Sequence, residues 1–217
     1  MTNEYVIPGV TAFAFGHLLN PVAGCESLAL TSEGHLLVTV RGEMMTRTDA
    51  LLVCSENLEI RPLNRRMQGR AVPEVFQRLA ALEGDGYLTL SRERERFYPF
   101  RLERDLCFFA EQRLWALEST LMWDVGMLPG SRGHADVQLV RVAGEGLVAV
   151  RVPGDLVAVK VSYQRPQRVH LEAFVGWVGN VVPSLERDVA FLHCEGEGAV
   201  FVSLSAAASE STPGHIG

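Results

Sequence analysis

The sequence predicts an all-β protein: a β-sandwich or jelly-roll-like double-stranded β-helix built from about three repeated antiparallel β units. Three observations predict it. First, Val140 and Val142, then Val148, Val150 and Val152, alternate with other residues on either side of Ala143-Gly144-Glu145-Gly146. That is the pattern of two half-buried strands around a tight turn. Glycine supplies the positive φ such a turn needs without a Cβ clash. Second, the device recurs. Hairpins are expected at 28–40, 79–90 and 191–204, and their closing glycines are Gly34, Gly86, Gly146 and Gly198. Leu30, Leu82, Val142 and Cys194 stand four before those glycines; Leu36, Leu88, Val148 and Val200 stand two after; Val38, Leu90, Val150 and Val202 stand four after. Equal parity places each set on one face of a strand.

Third, a separate set of columns lies between the hairpins. Residues 51–58, 114–121 and 174–181 align as LLVCSENL, LWALESTL and FVGWVGNV. Spacings of about 60 residues between such columns indicate a repeated β unit too small to bury its apolar face alone. One domain is expected over 1–204, with repeats near 25–65, 79–127 and 137–185, a final hairpin at 190–204 and a flexible tail at 205–217.

The remaining elements follow from local chemistry. Residues 4–24 are punctuated by Pro8, Gly9, Gly16, Pro21 and Gly24, and Val10 to Phe15 alternates, so short strands are expected there. Residues 61–78 are basic and contain Pro62, Gly69 and Pro73, which marks a connector with a short helical turn over 75–82. Residues 128–135, containing Pro129-Gly130-Ser131-Arg132-Gly133-His134, form a loop between the second and third units. Arg92, Arg94 and Arg96 alternate with Glu93 and Glu95; on a strand this sends the arginines to one face and the glutamates to the other. Leu139, Leu147 and Phe201 lie opposite the core face and call for a second sheet or a second subunit to cover them.

Composition narrows the function classes. Hydrophobic residues make up 47% of the 217, enough for a sizeable core. A net charge of −6 repels phosphate backbones, so no nucleic-acid partner is expected. The N-terminus has no basic segment leading into an apolar run, and no run reaches the length of a membrane span, so neither a signal peptide nor a membrane span is expected. Cys25, Cys54, Cys107 and Cys194 lie in apolar surroundings with no Cys-x-x-Cys pair, which indicates buried reduced thiols and a cytoplasmic location.

Motif chemistry is sparse. His17, His35, His134, His170, His193 and His215 are dispersed and form no His-x-His, so the strand ligands of a cupin metal site are missing. Ser131 and His134 share a short loop without the strand-turn-helix frame of a nucleophile elbow. The Gly-x-Gly pairs precede no helix and lack the third glycine of a dinucleotide site. Trp115, Trp123 and Trp177 suit core or interface packing. No catalytic, cofactor or metal residues are assigned. Arg65, Arg66 and Arg70 are the one candidate grip for an anion or an acidic partner.

These residues resemble a known family. Gly84-Asp85-Gly86, Gly144-Glu145-Gly146, Leu114-Trp115-Ala116-Leu117-Glu118 with Trp123-Asp124-Val125, and Phe174-Val175-Gly176-Trp177-Val178-Gly179-Asn180-Val181-Val182-Pro183 are similar to the units of the family named for altered inheritance of mitochondria, member twenty-four. The resemblance spans about residues 5–204 and rests on turns and apolar columns, which specify fold better than function. It implies a fold related to the tryptophan RNA-binding attenuation protein, homo-oligomers with a trimer as the usual form, and no established enzyme activity. The expected function is a non-enzymatic β-scaffold that self-associates and binds a protein partner. A small-molecule- or metal-binding cupin-like barrel is the alternative, and RNA binding by fold analogy a second.

Overall fold

The computed structural model describes residues 7, 9–19, 26–63, 66–67, 70–71, 78–128, 137–186 and 190–204. The main body is β throughout. The strands are β1 (Leu28–Leu30), β2 (Leu36–Arg47), β3 (Leu51–Cys54), β4 (Glu59–Pro62), β5 (Arg66–Met67), β6 (Arg70–Ala71), β7 (Leu79–Leu90) and β8 (Arg96–Ala110). They continue with β9 (Leu114–Glu118), β10 (Met122–Met127), β11 (Gln138–Val152), β12 (Leu156–Val161), β13 (Gln167–His170), β14 (Phe174–Leu185) and β15 (Phe191–Ser203). Thirteen of them join one sheet whose main path runs β12-β15-β14-β8-β11-β9-β2-β7-β3. All of its pairings are antiparallel.

Of the four expected glycine turns, only Gly34 stands in one. Its amide donates to Thr31 O at 2.9 Å, and Leu28 pairs with Val38 across the hairpin of β1 and β2. Gly84-Asp85-Gly86, Gly144-Glu145-Gly146 and Gly196-Glu197-Gly198 lie inside single long strands, β7, β11 and β15. Alternation on both sides of a glycine pair reads alike for a hairpin and for one strand that bends. The partner settles which applies. Each glycine strand pairs along its length with another long strand, β7 with β2, β11 with β8 and β15 with β14, so its two halves never meet.

The glycines are needed for the bend. Gly84 has φ of +132°, and a Cβ there would lie 2.6 Å from the carbonyl oxygen of Asn57. At Gly144/Glu145 the β11·β8 register shifts by a bulge, which twists the strand further.

The apolar columns pair in the same way three times. Leu51 and Cys54 of β3 face Leu90 and Leu88. Leu114 and Leu117 of β9 face Val150 and Val148. Phe174 and Trp177 of β14 face Val202 and Val200. Leu82, Leu88, Val142, Val148, Cys194 and Val200 are all fully buried, whereas Leu30 of the first column is 47% exposed. Three apolar clusters result. One centres on Phe109, Leu114 and Val148, one on Leu36, Leu88 and Trp115, and one on Phe174, Leu192 and Val200. Each fully buried aliphatic or aromatic side chain contributes about 1.5–3 kcal/mol. Leu139 and Leu147 are buried within the third and second clusters, and Phe201 stacks on Phe100 and Phe109. The chain covers its own second layer at these positions.

Two further expectations change. Val10–Gly16 is an α-helix (α1), and none of its residues is buried. Its alternation of small and aromatic residues suits a strand, but among the described residues no strand pairs with it, and its alanines favour helix. Residues 91–95 form a turn in which the Glu95 amide donates to Arg92 O at 2.8 Å, so Arg92 and Arg94 line no strand face. Glu93 takes a positive φ there, and Arg96 opens β8 and pairs with Asp155. Residues 79–82 are strand, not helical turn. Beyond Leu128, the expected loop at 128–135 lies outside the described residues, as does the tail at 205–217.

Gly84→Val forces a branched Cβ against the Asn57 carbonyl at a φ that β-branched residues avoid. It is expected to lower stability by roughly 3 kcal/mol, seen as a fall in the urea midpoint at unchanged slope.

Candidate functional site: the open sheet edges

The basic connector places little together. Arg66 lies on β5 and Arg70 on β6, a two-stranded pair separate from the main sheet, and Arg65 lies outside the described residues. The histidines stay apart. His35 Nδ1 accepts the Arg92 amide at 3.1 Å, His193 Nε2 meets Glu195 at 2.7 Å, and His170 packs edge-on to Phe191. Among the described residues no group of three or more His, Cys, Asp or Glu side chains is placed to hold a metal ion. Ser131, His134, His215 and Cys25 lie outside the described residues.

A buried charged cluster around Trp115 is the feature that sequence reasoning missed. Arg47 pairs with Glu111 at 2.9 Å, both nearly inaccessible, and Arg47 Nε donates to Leu114 O at 2.7 Å. Arg151 lies 3.7 Å over the Trp115 ring and reaches Glu95 at 2.6 Å; Arg113 reaches the same carboxylate at 3.5 Å. Burial pushes the Glu111 carboxyl up and the Arg47 guanidinium down, and each partner opposes the other's shift. Every cation here has a carboxylate. The cluster therefore fastens β2, β9 and β11 together. Its only sequence signal is an arginine next to a buried column, and that signal is weak.

The sheet edges differ in a more informative way. β9 is paired on both sides: with β11, and through Met44↔Glu118, Met45↔Leu117 and Thr46↔Ala116 with β2. β14 is likewise paired on both sides, with β15 and, through Cys107↔Val178, Phe108↔Trp177 and Phe109↔Gly176, with β8. β3 fills the corresponding columns and pairs only with β7 among the described residues. Its apolar side chains are consequently exposed: Leu51 36%, Leu52 57% and Val53 44%. At the far end of the sheet β12 and β13 pair only with β15 among the described residues. Exposed apolar edge strands template further strand pairing.

No helix of the described residues is long and apolar enough to cross a membrane. No family model matches the chain, and no curated protein matches it. The X-ray structure of a protein from Streptococcus pyogenes, solved as a structural-genomics target, is similar to this fold with a TM-score of 0.64 over 81% of this chain and 92% of that one, at 12% identity. At that identity the likeness shows the fold alone.

Burial pushes the Cys107 and Cys194 thiols up to about 11 from the ordinary value of 9.0. The folded protein keeps these protons where the unfolded chain releases them. The stability they contribute is therefore complete below pH 9.0 and lost as pH rises through about 11. The urea midpoint of the wild type is expected to fall over that window relative to that of a Cys107→Ala/Cys194→Ala variant.

Proposed function

We propose that this protein is a non-enzymatic β-scaffold that assembles with copies of itself through the exposed edges of β3 and β13 and presents the assembled surface to a protein partner. One observation supports the reading above the others. The chain makes one kind of junction twice, in one register, and among the described residues leaves unpaired the two edges that a third would need. Residues 116–118 of β9 meet residues 44–46 of β2, and residues 176–178 of β14 meet residues 107–109 of β8. By their pairing columns, Val53, Cys54 and Ser55 correspond to the first member of each junction, and Gln167, Arg168 and Val169 to the second. Carried across two copies, the same register sets Val53 against Val169, Cys54 against Arg168 and Ser55 against Gln167.

In this reading the chain is three pseudo-equivalent units in a row, and the contact between copies repeats the contact between units. Unlike edges meet, so the assembly is heterologous: it closes into a ring or grows into a fibre. The resemblance to the altered-inheritance family favours a closed trimer and membership of that family. The cytoplasm is the proposed location, which suits the free thiols at Cys54, Cys107 and Cys194.

Light scattering on the full chain tests this, with a mass three times that of one chain expected. A wild-type protein that stays monomeric across a wide concentration range overturns the proposal. Val53→Lys puts a charge on the exposed edge and is expected to yield monomer with an unchanged circular dichroism spectrum. Arg168→Cys places a thiol opposite Cys54 of the next copy. Under mild oxidation it is expected to cross-link chains into a ladder, and the ladder should vanish when Cys54→Ser is added.

A further inference from the structure

The two internal junctions share a register but not a filling, and the difference leaves a cavity. At the first junction Met45 and Leu117 form the floor, Leu63, Leu79 and Leu121 are buried against them, and Trp123 packs alongside. The same columns at the second junction hold Phe108 and Trp177 on the floor, with Leu139 and Val181 beside them. Two positions shrink. Gly126 stands in the column of Leu63, one residue beyond β4, and Pro183 stands in the column of Trp123. An apolar cavity of about 280 Å³ opens there, bounded by Phe108, Trp177, Gly126, Leu139, Val181 and Pro183. The Phe108 and Trp177 rings stack at 4.4 Å and 7°, which makes the floor flat and rigid.

A third position changes in the opposite sense. The column of Ala81, apolar at the first junction, holds Arg141 at the second, and Arg141 lines this cavity. Arg141 is exposed and makes no ion pair or hydrogen bond with any described residue. Its cross-strand neighbour Asp124 instead accepts the amide of Val125 at 2.8 Å. A guanidinium at the rim of an apolar cavity is complementary to a carboxylate carried on an apolar body.

We infer that this cavity is a binding site for a small monocarboxylate with a compact apolar body, such as a medium-chain fatty acid. At about 30 Å³ for each water-sized group, the space suits roughly nine or ten non-hydrogen atoms. The apolar body lies on the Phe108–Trp177 floor, and the carboxylate takes a two-point hydrogen bond from Arg141. The inference is independent of self-association, since none of the edge residues lines the cavity.

Calorimetric titration of the full-length protein with octanoate, and in parallel with neutral octanamide, tests it, with Trp fluorescence as a second readout. Octanoate is expected to bind with one site per chain and to perturb the emission, at least tenfold more tightly than octanamide. Arg141→Gln is expected to remove that tenfold preference and leave octanamide binding unchanged. Gly126→Leu restores the side chain of the first junction into open space, since a Cβ at Gly126 meets nothing within 4 Å, and is expected to abolish both. Absence of octanoate binding to the wild type, equal binding of acid and amide, or an Arg141→Gln variant that keeps the preference would each overturn the inference. Circular dichroism of both variants separates lost binding from lost fold.

Discussion

The architecture depends on main chain packing directly against main chain where side chains are missing. The long strands β7, β11 and β15 each bend at a glycine pair. In β7 and β15 a carbonyl from the crossing segment occupies the space a Cβ would fill: Asn57 O does so at Gly84 and Asn180 O at Gly196, both at positive φ. In β11 the Glu118 carboxylate and Thr120 hydroxyl crowd Gly146. The bend lets one strand serve two parts of the sheet. β7 takes β4 along its first half and β3 along its second; β11 takes β10 and β9 in the same order. Without the bends, the short strands could not fold back over both halves of the long ones, and the three apolar clusters would have no enclosing walls.

Much of this was legible in the residues, and the part that was not has a definite cause. The columns through Leu88, Val148 and Val200 identified buried faces correctly, because period-two alternation reports burial whatever the strand pairs with. The second columns, through Leu117 and Trp177, identified the strands that pair with them. What alternation cannot report is the partner. A glycine pair between two apolar runs fits both a hairpin and a bent strand, and the choice is made by residues far along the chain. Helix α1 shows the converse: its pattern suits a strand, but among the described residues no strand pairs with it. The Arg92–Arg96 alternation failed because a turn closed by the Arg92 carbonyl interrupts it.

The sites were harder to read for the same reason. Leu52 and Val53 look like any buried strand in the sequence, and only the sheet order shows that β3 ends it. The cavity beside Arg141 is defined by what Gly126 and Pro183 lack relative to Leu63 and Trp123. That comparison becomes meaningful once pairing registers show which residues occupy equivalent places. The buried Arg47–Glu111 pair makes a related point. With Arg151 over Trp115 it fastens β2, β9 and β11 in one arrangement, although a buried ion pair adds little net stability over an apolar one.

Under the proposed edge-to-edge assembly, the unlikeness of the two sheet ends would have a genetic consequence. A polypeptide spoiled at β3 alone would keep a sound β13, so it would still be recruited by a normal neighbour and would then block the next addition. Where altered and normal alleles are expressed together, a minority of such chains would poison a disproportionate share of the assemblies. Damage at β3 and damage at β13, carried on separate polypeptides, would by contrast leave each able to join through its intact end, so that the two defects partly complement one another.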